Sequence, residues 1–215
     1  MEIIAISQKK EDVFLKHYDI FKDVSGVVLA GGQNTRFKSE KSLIEVDDQC
    51  IIEKEINILK NIFSELIIVT DKEDIKNMFP NITFAKDYFN GCGPLAGLHA
   101  ALKKCSTKGV FIVACDMPNL NERFIIKQLD LLEQNPNVLA VVPRHPNGYE
   151  PLHSFYHKNC LPFVEALLQQ KKYSVRGFFN KISINWFDIK SEDEKFFFNI
   201  NTQRDLELFI DQKVK

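Results

Sequence analysis

The chain has 215 residues, 45% of them hydrophobic, and a formal net charge of −1. That is enough apolar material for the core of a single α/β domain, and the charge balance excludes a general nucleic-acid binder, which needs a surplus of Lys and Arg. Its apolar runs fall far short of the ~20 residues of a membrane span, and the head Met1-Glu2-Ile3-Ile4-Ala5-Ile6 is too short for a signal peptide, so a cytoplasmic location and no membrane partner are expected.

Residues 1–23 read as an N-terminal extension of unknown role, either a short helix or a mobile segment, with a charged stretch Lys9-Lys10-Glu11-Asp12 before the apolar Val13-Phe14-Leu15. From residue 24 a regular pattern begins. Apolar runs at 24–30, 65–70, 82–86, 109–114 and 137–142 read as strands, and segments 51–62, 95–104 and 121–134 carry the three-to-four-residue spacing of amphipathic helices. Beyond the turn-rich Pro143-Arg144-His145-Pro146-Asn147-Gly148, the sequence predicts a strand over 152–157, helices over 159–170 and 173–180, a strand over 182–189 and a capped helix over 203–213. Phe196-Phe197-Phe198 reads as a further buried strand.

Alternation of strands and helices predicts an α/β fold, a single-domain doubly wound and mostly parallel sheet of Rossmann-like type, whose ligands bind at the carboxyl ends of the strands. No linker composition divides it, so 24–143 and 144–215 read as two halves of one domain.

The segment that carries the most chemistry runs from Leu29 through Ala30, Gly31, Gly32 and Arg36 to Lys41. A glycine pair where a strand empties into a loop lets the backbone approach a ligand, and two cations close by can neutralise a polyphosphate. On the residues alone a plain turn with solvated cations stands at even odds with a nucleotide site. There is no G-x-x-x-x-G-K-[ST] and no G-x-G-x-x-G here. Gly93-Pro94-Leu95-Ala96-Gly97 opens a helix on glycines that permit close approach of a base or ribose, and equally as an ordinary loop-to-helix start. Asp116, in Cys115-Asp116-Met117-Pro118, leaves an apolar strand at the edge where the glycine loop lies. It suits either a magnesium ligand or a turn aspartate. Asn199 and Asn201, two apart, face one side of an extended chain, while Asn201 or Thr202 also suits a helix cap.

His153 on its strand reads as structural rather than as a base, and the remaining histidines have no metal-ligand spacing. Cys50, Cys92, Cys105, Cys115 and Cys160 contain no C-x-x-C pair and read as free thiols, with Cys115 a small apolar residue closing a strand.

Taken together, Leu29-Ala30-Gly31-Gly32 with Arg36, Phe37 and Lys41, then Gly93 to Gly97, Cys115 to Pro118, Pro151-Leu152 with Tyr156, and Phe198 to Leu206 resemble the ordered motifs of the molybdenum cofactor guanylyltransferases, over about residues 24 to 213. The resemblance implies transfer of GMP from magnesium-GTP to molybdopterin with release of pyrophosphate. It implies a nucleotide site of Leu29, Ala30, Gly31, Gly32, Lys41, Asp87, Gly93, Pro94, Leu95 and Asp116, with Arg36, Lys41 and Asp116 catalytic, Asp116 the Mg2+ ligand, and Asn199 and Asn201 binding the acceptor. It also implies partner proteins that insert molybdenum or receive the finished cofactor. The chain departs from the family pattern at Lys38, where a glycine is usual, at Glu40, where Asp is, and at Gln203, which replaces a proline. A cytidylyltransferase or sugar-phosphate nucleotidyltransferase of the same fold is the alternative within enzymes, and a non-catalytic nucleotide-binding accessory protein the alternative outside them.

Overall fold

The structure is a computed structural model that describes residues 22–31, 44–46, 49–89, 91–146 and 148–213. Most of the N-terminal extension therefore lies outside the described residues.

Elements follow in chain order as β1 (Val24–Leu29), β2 (Glu45–Val46), β3 (Gln49–Cys50), α1 (Ile51–Ile62), β4 (Glu65–Val69), α2 (Glu73–Met78), β5 (Thr83–Ala85), α3 (Pro94–Lys104), β6 (Gly109–Ala114), α4 (Glu122–Gln134), β7 (Ala140–His145), β8 (Gly148–Tyr149), β9 (His153–His157), α5 (Leu161–Gln169), α6 (Val175–Phe179), β10 (Ile184–Asp188) and α7 (Gln203–Lys213). Among the described residues the main sheet runs β10-β7-β9-β6-β1-β4-β5, with β8 attached to β7, and β2 and β3 form a separate ribbon. β6, β1, β4 and β5 are parallel to one another, as are β10 and β7, while β9 is antiparallel to both β6 and β7. Since β6 and β7 both oppose β9, they point the same way. Every strand of the main sheet except β9 and β8 thus ends on one edge.

The sheet is central because its strands are apolar on both faces. β6 is buried at every position, as a strand covered by helices on either side must be. One face packs α3, α5 and α6 around Val27, Leu98, Leu102, Ile112 and Leu168, and the other packs α1 and α4 around Val28, Ile52, Ile56, Phe111 and Leu129. Alternation along β9 divides its side chains between these layers, with Tyr156 in the first and Phe155 in the second.

The predicted strands and helices are found, with two differences. Phe196-Phe197-Phe198 is no strand: Ser191–Phe197 forms a 3-10 turn, and Phe196 and Phe197 close on the ring of Phe124 at 5.1 and 5.5 Å. Burial is non-directional, so three phenylalanines can be covered by a helix face as well as by a ladder. The strand read at 137–142 begins three residues later, because the turn from Asn135 to Val138 still closes the end of α4. The short α2 and the two-residue strands carry too little periodicity to read.

Candidate active site

Five segments meet at the carboxyl edge of the sheet, four of them delivered by the ends of β1, β4, β5 and β6. Ala30 leaves β1 with its N–H donating to Val69 O at 3.0 Å, and its carbonyl accepts the buried Thr70 hydroxyl at 3.1 Å. Thr70 N in turn donates to Ala85 O at 3.1 Å, so the exits of β1, β4 and β5 are stitched side by side. On the other flank of β1, Cys115 N donates to Leu29 O at 3.2 Å, which holds the Cys115–Asp116 turn against the glycine loop. Ile200 N donates to Asp116 O at 2.9 Å, bringing the segment of Asn199 and Asn201 to the same turn.

The positions named from sequence fall out as follows. Gly31 has no positive φ, and a Cβ there would meet only Val69 O at 3.7 Å, so its own fold does not require glycine; the absence of a side chain leaves the strand exit open to a ligand. Gly93 does need glycine, with φ +72, and it turns the chain into Pro94 at the first position of α3. Leu95 and Ala30 are buried in the core and Leu29 packs its side chain on Gly97, so these three have only main-chain groups to offer a ligand. Asp87 is half-buried and accepts the Phe89 N–H at 2.7 Å, an Asx turn that fixes the loop after β5. Asp116 is half-buried at the end of β6. Gly32, Arg36, Lys38, Glu40 and Lys41 lie outside the described residues.

Asn199 donates its side-chain amide to Phe197 O at 3.1 Å. The cap of α7 belongs to Thr202, whose hydroxyl accepts from Asp205 N at 3.2 Å while the Asp205 carboxylate accepts from the N–H groups of Asn201 and Thr202 at 2.9 and 2.7 Å. Asn201 enters the cap through its main chain, and its side chain is exposed.

Three carboxyl or imidazole groups near Asp116 were not assigned from sequence. Glu55 on α1 is 1% exposed; its Oε1 accepts from Met117 N at a long 3.4 Å and its Oε2 has no partner. Burial, and then the neighbouring Asp116, push its carboxyl well above the usual carboxylate range. Glu150 pairs with His145 Nε2 at 3.2 Å, and burial again pushes its carboxyl up, opposed by His145. The spacing Ile52, Glu55, Ile56, Leu59 puts Glu55 on the buried stripe of its helix, and that was the available signal. His153 is structural, as read: it is 1% exposed, is bonded to Gln128 Nε2 at 3.0 Å, and is driven down to about 4 by burial.

Among the described residues no three His, Cys, Asp or Glu side chains converge as a metal cage, and no helix is long and apolar enough to cross a membrane. A carboxylate at an open strand end nevertheless suits magnesium, which takes one or two protein carboxylates and completes its shell with water and phosphate oxygens.

Known proteins resemble this chain in sequence and fold. A "Probable molybdenum cofactor guanylyltransferase" of Pelotomaculum thermopropionicum is 34% identical over 189 residues, covering 85% of this chain and 89% of that protein. A "Molybdenum cofactor guanylyltransferase" of Desulfosudis oleivorans is 30% identical, covering 86% and 93%. The crystal structure of molybdopterin-guanine dinucleotide biosynthesis protein A from Archaeoglobus fulgidus superposes with a TM-score of 0.73 at 22% identity, over 86% of this chain and 95% of that one, and shows the fold to be the same. The profile of the MobA-like NTP transferase domain matches residues 26–183, and with it the chain belongs to that family and is a nucleotidyltransferase.

Proposed function

We propose that this protein transfers GMP from magnesium-GTP to the terminal phosphate of molybdopterin, forming the guanine dinucleotide of the cofactor and releasing pyrophosphate. The observation that carries the reading is the junction at Asp116. The exits of β1, β4 and β5, with Gly31, Asp87 and Gly93, lie on one side of it, and β9, β7 and β10 lie on the other. The relatives' names supply the base and the acceptor.

In this reading 24–143 forms the nucleotide half and 144–215 the acceptor half. The main chain from Gly93 to Leu95 and the Asp87 turn receive the guanosine. The open strand exit at Ala30 and Gly31 receives the triphosphate together with Gly32, and Arg36 and Lys41 neutralise its charge. Asp116 holds the magnesium ion; once bound, that ion stabilises the charge that builds on the phosphate oxygens. Asn199 and Asn201 orient the acceptor. Its phosphate oxygen forms the new bond to the α-phosphorus as the bond to the β-phosphate oxygen breaks, and pyrophosphate leaves with the electron pair. The attacking phosphate is already anionic near neutral pH, so positioning and charge neutralisation suffice without a strong base.

Nucleotide-dependent thermal stabilisation tests the nucleotide half. GTP with magnesium should raise the melting temperature more than CTP or ATP does. A larger effect of CTP would make the protein a cytidylyltransferase, and no effect of any nucleotide would remove the enzyme reading.

A further inference from the structure

On the acceptor side of Asp116 a cleft of about 130 Å³ is lined by His145, Glu150, Ile189, Glu194 and Phe197. Resting on the function proposed above, we infer that this cleft receives the 2-amino-4-oxo pyrimidine edge of the acceptor's pterin, with the Glu150 carboxylate as the recognising group.

Its position favours this first. His145 ends β7, which runs parallel to β6, and Ile189 follows β10 with its N–H donating to Arg144 O at 2.8 Å, so the cleft opens on the edge that carries Asp116. Ile189 and Phe197 belong to the same buried cluster as Ala114 and Met117, which flank the Asp116 turn. Phe197 lies two residues before Asn199, the proposed acceptor contact, and the nucleotide loops lie across β6 and β1.

Its chemistry narrows the ligand. Polar groups in the cleft are acceptors: two carboxylates, Glu150 and Glu194, and the buried Nδ1 of His145, which has no partner when Nε2 carries the hydrogen toward Glu150 at 3.2 Å. An ionised carboxylate is acceptor-only and presents two oxygens in a plane. The pterin edge offers the matching pair of donors, ring N3–H and the exocyclic amine. Ile189 and Phe197 supply apolar walls for a flat ring. At about 130 Å³ the cleft lies below the ~300–1,000 Å³ of a pocket that encloses a whole ligand, which suits a ring edge and not a whole cofactor. The half-buried Glu150–His145 pair, each side chain 20% exposed, makes the carboxylate a held group rather than a solvated one.

The test is an equilibrium titration of the full chain with 6-hydroxymethylpterin, followed by emission of Trp186, the single tryptophan, which lies on β10. Saturable quenching is expected. Glu150→Gln, which turns one acceptor into a donor facing a donor, should weaken binding by about tenfold or more. The corresponding lumazine, with oxygen in place of the 2-amino group, should bind the unaltered chain about tenfold more weakly, and the variant should lose that discrimination. Equal stabilisation of both chains by magnesium-GTP shows that the variant is folded. Pterin affinity unchanged in Glu150→Gln, equal affinity for lumazine and pterin, or no pterin binding by a chain that GTP still stabilises would each overturn the inference. Failure of GTP to stabilise the unaltered chain would instead sink the function on which it rests.

Discussion

Ile200 donates its main-chain N–H to the carbonyl oxygen of Asp116 at 2.9 Å, joining the start of the C-terminal helix to the end of the central strand β6. Ile200 is fully buried with Ile44, Ile51 and Phe209, so the tie is anchored in a hydrophobic cluster and holds the Asp116 turn from the acceptor side. Cys115 N on Leu29 O holds it from the nucleotide side. A turn fixed from both flanks is what an in-line transfer between two substrates requires.

Asp116→Ala should reduce turnover by roughly 10³-fold, the scale on which removing one preorganised electrostatic group acts. Because the side chain is half-buried and its main-chain ties remain, the unfolding free energy should change by less than about 1 kcal/mol. Steady-state rates and urea unfolding of the same preparation measure both. Near-native turnover would take Asp116 out of the mechanism.

For Lys41→Ala the expectation is weaker nucleotide binding, by about tenfold, from the loss of one charge-assisted contact to phosphate. Calorimetric titration with magnesium-GTP decides the matter, and an unchanged affinity would contradict the phosphate role.

Glu55 is an unusual resident of the core. Replacing a buried carboxyl that has one unpartnered oxygen with an apolar side chain of similar size removes a desolvation cost, while giving up only the long bond from Met117 N. Glu55→Leu should therefore leave stability unchanged or raise it by about 1–2 kcal/mol in urea unfolding. A loss above about 2 kcal/mol would show that the carboxyl holds the Met117 turn.

His153 gives a pH dependence of definite sign. Its folded-state pKa of about 4 lies below the ~6.5 of an unfolded histidine, so between these values the unfolded chain binds more protons. Stability from this group is complete above about pH 6.5 and lost as pH falls toward 4, a loss of about 3 kcal/mol. Glu55 and Glu150, whose carboxyls are pushed up, act with the opposite sign in their own windows, so the readout is the difference between the native chain and His153→Leu. That difference should shrink in favour of the variant from pH 7 to 4; parallel curves would refute the assignment.

The architecture was legible where a residue's neighbours in sequence are also its environment. The uninterrupted apolar run Gly109 to Ala114 announces a strand covered on both faces, and Asn201-Thr202 announces the cap of α7. The motifs around Gly31, Gly93 and Asp116 were legible because strand exits of a parallel sheet collect on one edge. What sequence missed depends on contacts between distant segments. The spacing of its helix puts Glu55 on the buried stripe but not beside Met117 and Asp116, and the pairing of His145 with Glu150 depends on the β7–β8 turn. Phe196 to Phe198 form no strand because composition signals burial but not the surface that provides it, here Phe124 for Phe196 and Phe197 and Phe209 for Phe198.

The most direct measurement is transfer of label from α-labelled GTP to molybdopterin in the presence of magnesium. The account predicts label in a dinucleotide product, with one pyrophosphate released per transfer and transfer by Asp116→Ala slowed by roughly 10³-fold. Label that stays in GTP while α-labelled CTP is consumed, or no transfer from either nucleotide, would contradict it.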